Sequence, residues 1–419
     1  MSFEPHGRWW RGANLDLDSV RGHLRPPSRV TLMDATLREG EEAAGTFLTP
    51  DLKLRLAHAL QEAGLTELEI GYCGVIDEHY ELAKNLKRSG ITAKLASHTR
   101  CYARTGEWEA EIDRTIEAGC DILTFVAFGS QAMLRTTPWL ALEALPDRIA
   151  ACVERCRRQG AVATFSLAGS DLFRTPLERI ARCYAAAAQA GAARLYVSDG
   201  TGGATPEAIS FLAQFLRHAA PGPAIALHLH NTFGLATANA LAGVMHGAAA
   251  VDCTLLGMGD GAGITALEEI ALALEVLYGV ETGVRLDQIT ALCRLAHECF
   301  GTALSPHKPH VGENIFRHQI DSHIAAILRG DWSAWEVVRA EALGRERRLE
   351  FGYGKLRRGR SGAIALLVER LGLIATDTQM DEILDRIRAV TVRQRVCSLS
   401  EAEQIIRAVL AGEGGAAVG

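Results

Sequence analysis

Two histidines one residue apart, His228 and His230, stand near the end of an apolar run that begins at Ala224, and an Arg38-Glu39 pair closes another apolar run far upstream. A strand sends alternate side chains to one face, so both imidazoles project together while Leu227 and Leu229 project the other way. Two imidazoles on one face can share a divalent cation, which then needs oxygen ligands, and Glu39 is the candidate carboxylate. The expected metal centre is Glu39, His228 and His230, with Mg, Mn, Zn and Co all compatible. Without such chemistry, the histidines would be core imidazoles bonded to backbone, and Asp34, Arg38 and Glu39 a capping acid with a surface ion pair. The meeting of both sets at strand ends favours the metal.

The elements that must position them are legible as short β-rich runs: Arg29–Leu37, Glu67–Tyr72, Thr92–Thr99, Ile122–Phe128, Ala161–Leu167, Arg194–Val197, Ala224–His230 and Val251–Leu256. Amphipathic stretches lie between them, among them Asp51–Ala63, Glu109–Ala118, Leu177–Ala190, Pro206–His218 and Leu235–His246. Strand and helix alternate with a period of roughly 30 residues, as an α/β fold of the (β/α)8 TIM-barrel type requires. The barrel is expected to close near Tyr278. Active-site loops of such barrels follow the C-terminal ends of the strands, where Arg38, Glu39, Arg100, Ser130, Asp199, His228 and His230 fall.

The 419 residues suit a barrel of ~250 residues with an appendage. The reading divides them into an N-terminal extension (1–28), a catalytic barrel (29–282), a C-terminal lid and helical subdomain (283–411) and a disordered tail (412–419). The lid carries a long loop with Pro306, His307, Lys308, Pro309 and His310, and Met380–Leu410 reads as two helices around a turn near Ser398. A formal net charge of -6 supplies no basic field for nucleic acid or anionic lipid, and no run is long and apolar enough to span a bilayer. A cytoplasmic protein working on small molecules is expected. Ten cysteines lack metal-finger spacing and read as reduced, mostly buried thiols, with Cys152 and Cys156 on one helix face.

The run Asp34-Ala35-Thr36-Leu37-Arg38-Glu39-Gly40-Glu41 resembles the opening signature of the DRE-TIM metallolyase superfamily, and His228-Leu229-His230 its His-x-His strand. Within it the chain most resembles homocitrate synthases, which stand with isopropylmalate and citramalate synthases in the Claisen-condensing group. Ser97-His98-Thr99-Arg100-Cys101 is similar to their third strand, Gly129-Ser130-Gln131 with Leu134-Arg135 to their fourth, and Gly263-Ile264-Thr265 to the end of their eighth-strand loop. Val311-Gly312-Glu313-Asn314-Ile315-Phe316-Arg317-His318, followed by Ser322-His323, resembles their lid motif, and the similarity runs from about Val30 to about Ala411.

The resemblance implies transfer of an acetyl group from acetyl-CoA to the keto carbon of a 2-oxo acid, then thioester hydrolysis. A cation on Glu39, His228 and His230 would bind the acceptor and stabilise the alkoxide, with Arg38 adding a fixed positive charge. His323 matches the lid histidine that removes the methyl proton, His318 is a neighbouring candidate, and Tyr353 matches a tyrosine proposed as general acid. Glu42, His98, Arg135, Ser166 and Thr201 are the expected acceptor-binding residues. A homodimer in which each lid covers the partner's barrel is the family expectation. Two rivals stand beside it: a carbon–carbon lyase or aldolase on the same scaffold, and a barrel that has lost turnover and serves as a regulator.

Departures from the pattern bear on the acceptor. Glu42 replaces a usual glutamine, Asp199-Gly200 replaces Asp-Thr unless Thr201 supplies the hydroxyl, and Thr164, Phe165 and Ser166 occupy the region of the arginine that grips 2-oxoglutarate's far carboxylate. Loss of a bidentate arginine contact in a buried site costs on the order of 2 to 5 kcal/mol, so the acceptor is expected to differ unless Arg135 compensates. The Gly257–Gly263 loop lacks a nucleotide loop's lysine and reads as a barrel rim that meets coenzyme A. The arginines 345, 347, 348, 357, 358 and 360 read as a solvated face rather than a phosphate site.

Overall fold

Eight short apolar runs form parallel strands that close on themselves: β1 (Thr31–Asp34), β2 (Glu67–Glu69), β3 (Lys94–Arg100), β4 (Ile122–Ala127), β5 (Val162–Leu167), β6 (Arg194–Asp199), β7 (Ala224–Leu229) and β8 (Ala248–Cys253). In this computed structural model, which describes residues 7–135, 139, 141–167, 169–356 and 362–412, each strand hydrogen-bonds to the next and β1 pairs with β8. The expected (β/α)8 TIM barrel is therefore the fold. Threonines start two of the outer helices: Thr49 caps Pro50–Glu62 and Thr205 caps Pro206–Ala219, each accepting a backbone N–H, with proline at the first turn where its missing N–H costs nothing.

The inside of the barrel explains where the chemistry sits. Met33, Ala96, Ile122, Tyr196, Ala226 and Ala250 form a buried plug, small residues beside large ones. Because strand side chains alternate, two residues onward the same inward face carries His98, Thr124, Ser198, His228 and Asp252. The polar layer rests on the apolar one, and the parallel register aligns His228 with Ser198, and His98 with Thr124. Below, Glu67 and Arg194 make a partly buried two-bond ion pair of 2.5 and 2.7 Å.

The eighth strand begins at Ala248, earlier than the expected Val251, because Ala248 and Ala250 pair with β7 without the branched side chains that mark a strand in sequence. At the other end of the β1–β8 seam, Asp34 is fully buried and accepts 2.9 Å bonds from the Thr36 backbone N–H and hydroxyl. Thr36 in turn accepts the Leu255 N–H. Burial pushes the Asp34 carboxyl up to about 7 against the pull of the Thr36 bonds, with Glu69 and Glu268 adding repulsion. A raised carboxyl favours the folded state fully below its unfolded pKa and loses that contribution as pH rises from about 4 through about 7. Asp34→Asn does not ionise, so its melting temperature is expected to gain on the wild type by several degrees across that window; a constant offset between the two proteins contradicts this.

Two compact units make up the chain: Gly12–Ala303, and Leu304–Gly419 joined by the first eleven residues. The division differs from the sequence reading at both ends. Helix Ile289–Phe300, assigned above to the lid, belongs to the barrel unit, and residues of the 1–28 extension are shared between units. Arg25 N–H bonds Met245 within the barrel unit, whereas Trp10 N–H bonds Val337, and Arg339 N–H bonds Arg8, in the other.

The second unit is more than helices and a loop. It holds a three-stranded sheet in the order β11-β10-β9, from β9 (Arg317–His318), β10 (Arg348–Gly352) and β11 (Val396–Ser398). Helices Ala363–Arg370, Asp377–Gln394 and Leu399–Leu410 bury Leu367, Ile383, Ile387 and Ile406 around Phe351. The last two helices open with reciprocal capping boxes, Thr376 with Gln379 and Ser398 with Glu401. Among the described residues no helix is long and apolar enough to cross a membrane. All ten cysteines are buried thiols outside any disulfide. Of the expected 412–419 tail only Gly412, in a turn, is described; residues 413–419 and Arg357, Arg358 and Arg360 lie outside the described residues.

Candidate metal centre

A cavity of about 240 Å³ opens at the C-terminal ends of the strands, and Arg38, Glu39, His98, His228 and His230 line it. Glu39 leaves a short 3-10 turn, Glu39–Glu42, directly after β1 and is buried. Its Oε2 stands 3.7 Å from His228 Nε2 and its Oε1 3.8 Å from His230 Nε2. One atom from each of the three lies within 4.8 Å of the others. A borderline cation bonds imidazole nitrogen and carboxylate oxygen at about 2.0–2.2 Å, so donors spaced this way can converge on one ion. One carboxylate with two imidazoles suits a divalent transition metal with open positions for a substrate's oxygens.

Electrostatics prepare these donors. Burial opposes ionisation of Glu39, but Arg38, at 2.5 Å, and the two imidazoles hold its carboxyl below the usual glutamate range. His230 is driven down to about 4 by burial and by His228, so its ring is neutral and free to donate a lone pair. His228 is raised in spite of burial, because Asp252 bonds it and Glu39 faces it; the two carboxylates favour positive charge where a cation would sit. Asp252 Oδ2 is 3.1 Å from His228 Nδ1, a contact that assigns the proton to Nδ1 and turns Nε2 toward Glu39. Asp252→Asn keeps the shape and removes the charge, so the protein is expected to fold and bind Mn2+ about 10–100-fold more weakly by titration calorimetry. Unchanged affinity counts against this orienting role.

Arg38 is the other organising group. Its Nε meets Glu69 at 2.5 Å and its Nη2 meets the same carboxylate at 3.2 Å, while Nη1 reaches Glu39 and, at 3.4 Å, Glu42. Burial opposes the ionisation of Glu69, yet Arg38 and then His98 hold its carboxyl well below the usual range. His98 is pushed down to about 4 by burial, and its Nδ1 lies 3.3 Å from the Tyr72 hydroxyl.

The loop after β8 closes the site from one side. Asp260 N–H donates to Glu39 Oε1 at 3.2 Å, and a side chain at Gly259 would come within 3.0 Å of the same oxygen, so glycine there permits the approach. Leu256, at the start of the loop, holds a left-handed φ of 61°, an uncommon conformation for a branched residue and one found where function constrains the chain.

Not every expected residue joins this group. Ser166 lines the cavity, and Glu42 does so with its side chain half exposed. Arg135 is exposed beyond the short helix Gln131–Leu134 and does not line the cavity. Thr201 is exposed too, and its hydroxyl donates to Asp199 at 3.3 Å; Gly200 is the residue that faces the cavity there. Arg100 turns to Glu111 on helix Glu107–Glu117, Ser130 caps Gln131–Leu134, and Asp199 accepts the Ala204 N–H. The sequence reading missed Glu69, Asp252, Tyr72, Tyr196 and Ser198; acids within apolar strands were the available signal for the first two.

The lid histidines lie in the second unit. His323, on helix Asp321–Leu328, stacks on Trp335 with ring centroids 3.8 Å apart, and burial together with His318 lowers its pKa. His318 is buried and bonds Glu336 at 3.0 Å, and Arg347 grips the same carboxylate, which marks His318 as part of a structural network. Tyr353 is exposed, just past β10. The described arginines of the cluster are tied down: Arg345 to the Gly312 carbonyl, Arg347 to Glu336 and Glu341, Arg348 to Glu313.

The family described as HMGL-like matches residues 29–296, and that described as homocitrate synthase post-HMGL domain-like matches residues 310–395. The chain is 33% identical over 390 residues to a homocitrate synthase of Methanopyrus kandleri, covering 93% of this chain and 94% of that protein. It is 32% identical to a putative (R)-citramalate synthase of the same organism, over 96% of this chain and 75% of the relative. A probable 2-isopropylmalate synthase of Ignicoccus hospitalis is 30% identical, with 86% of this chain and 93% of that protein covered. Among solved structures, the HMG-CoA lyase of Bacillus subtilis superposes with a TM-score of 0.59 at 20% identity, over 69% of this chain and 98% of that one.

Proposed function

This chain belongs to the HMGL-like family, with a homocitrate synthase-type domain following the barrel, and from that premise we propose that it condenses acetyl-CoA with a 2-oxo acid and releases CoA. The observation that carries the reading is the convergence of Glu39, His228 and His230 beside Arg38 at one cavity. Glu39, His228 and His230 would hold a divalent cation, which would supply Lewis-acid stabilisation of negative charge on the acceptor's keto oxygen.

The chain's own groups divide the remaining work. Arg38, anchored by Glu69 so that its guanidinium cannot rotate away, adds a fixed positive charge beside that oxygen. His98, Ser166 and the Gly200 backbone face the acceptor, and Glu42 borders it. His323 is assigned as base from the motif it occupies: its lowered pKa leaves the ring unprotonated at neutral pH, ready to take a proton from the acetyl methyl group. The methyl carbon then bonds the keto carbon, the keto oxygen takes a proton for which Tyr353 is the assigned donor, and water cleaves the thioester to a carboxylate and free CoA thiol. We place the protein in the cytoplasm as a homodimer.

The test is thiol release. Purified protein with a divalent cation, acetyl-CoA and a panel of 2-oxo acids is expected to liberate CoA only when an acceptor is present. Acceptor-independent release, or none with any acceptor, contradicts the assignment.

A further inference from the structure

We infer that the acceptor is a 2-oxo monocarboxylic acid whose distal end is uncharged and accepts hydrogen bonds, a hydroxyl or carboxamide, rather than a second carboxylate or a plain alkyl group. The inference rests on the condensing reading above and names the substrate class of that site.

Charge is the first reason. Among the described residues, Arg38 is the only lysine or arginine that lines the cavity, and Glu39, Glu42 and Glu69 already surround its guanidinium. Glu42 and Asp260 border the same space. The acceptor's own 2-oxo carboxylate and developing oxyanion use what positive charge remains. A second carboxylate would be desolvated without a counter-charge and would face acids, which strongly disfavours it.

The second reason is the wall. Thr124 and Val126 on β4, Ser166 on β5 and Ser198 on β6 line adjacent parts of the cavity, and three of the four carry hydroxyls. Ser166 and Ser198 Oγ atoms are 2.7 Å apart, so one proton lies between them and the other hydroxyl proton is uncommitted. Thr124 accepts from Thr164 at 3.0 Å and keeps its own proton. A neutral wall with hydroxyl protons to give matches an uncharged acceptor atom. An alkyl group could pack on Val126 and the Tyr72 and Tyr196 rings but would leave those hydroxyl protons unpaired.

Two isosteric pairs test this on the full-length protein with Mn2+: 2-oxoglutaramate against 2-oxoglutarate, which differ in charge, and 4-hydroxy-2-oxobutyrate against 2-oxopentanoate, which differ in polarity. Each is measured as kcat/KM for thiol release and as Kd by titration calorimetry without acetyl-CoA. The amide is expected to exceed the dicarboxylate by about 100-fold or more, and the hydroxy acid to exceed the alkyl acid by about 10-fold or more. In the Ser166→Ala, Ser198→Ala double variant the hydroxy-to-alkyl ratio falls toward one. Preference for the dicarboxylate or the alkyl acid overturns the inference, and the wild-type comparison decides alone if the variant does not fold. Binding in the expected order with no thiol release overturns the condensing reading while supporting the pocket assignment; thiol release with 2-oxoglutarate preferred does the reverse. Binding of none of the four overturns both.

Discussion

Glu39→Gln is expected to lose the bound cation and, with it, at least about a thousandfold in turnover. Glutamine fills the same volume in a buried position, so the barrel has no steric reason to unfold. The change removes the carboxylate of the proposed three-residue ligand set, whose two imidazoles approach it at 3.7 and 3.8 Å. It also removes one of the charges that hold His228 in a field suited to a cation. Metal content after dialysis and thiol release are expected to fall together. A variant that keeps a full equivalent of metal and near-normal kcat shows that the ligand set has been misassigned.

Arg38→Ala carries the second large effect, through two mechanisms that can be separated. Loss of a fixed positive charge beside a developing oxyanion is expected to lower kcat about 100- to 1,000-fold. The same change strands Glu69 without its partner in a fully buried place, which is expected to cost about 3–5 kcal/mol of stability. Coupling the change to Glu69→Gln removes the stranded charge. The double variant is expected to melt near the wild-type temperature and remain as inactive as the single one. Recovery of activity along with stability would mean that Arg38 acts only as a structural ion-pair partner.

Much of this arrangement is legible from one sequence, for physical reasons that particular residues show. The His228-x-His230 spacing specifies a shared face because a strand's period is two, and Arg38-Glu39 stands out because charges close an apolar run. Strand pairing is the missing information. Asp252 orients His228 only because β8 lies beside β7, and Glu69 anchors Arg38 only because β2 lies beside β1; neither neighbour is encoded in the local pattern. Proximity in sequence misled at Thr201, whose hydroxyl turns back to Asp199, and at Arg135, which is exposed and does not line the cavity. In the second unit, β9 has two residues and β11 three, too few for any alternation to appear.

The most direct test is anomalous diffraction from crystals grown with Mn2+, recorded at the manganese edge. One strong peak is expected in the barrel, bonded at about 2.0–2.3 Å by Glu39, His228 Nε2 and His230 Nε2 together. A peak held by other side chains, or none at these three, contradicts this ligand set.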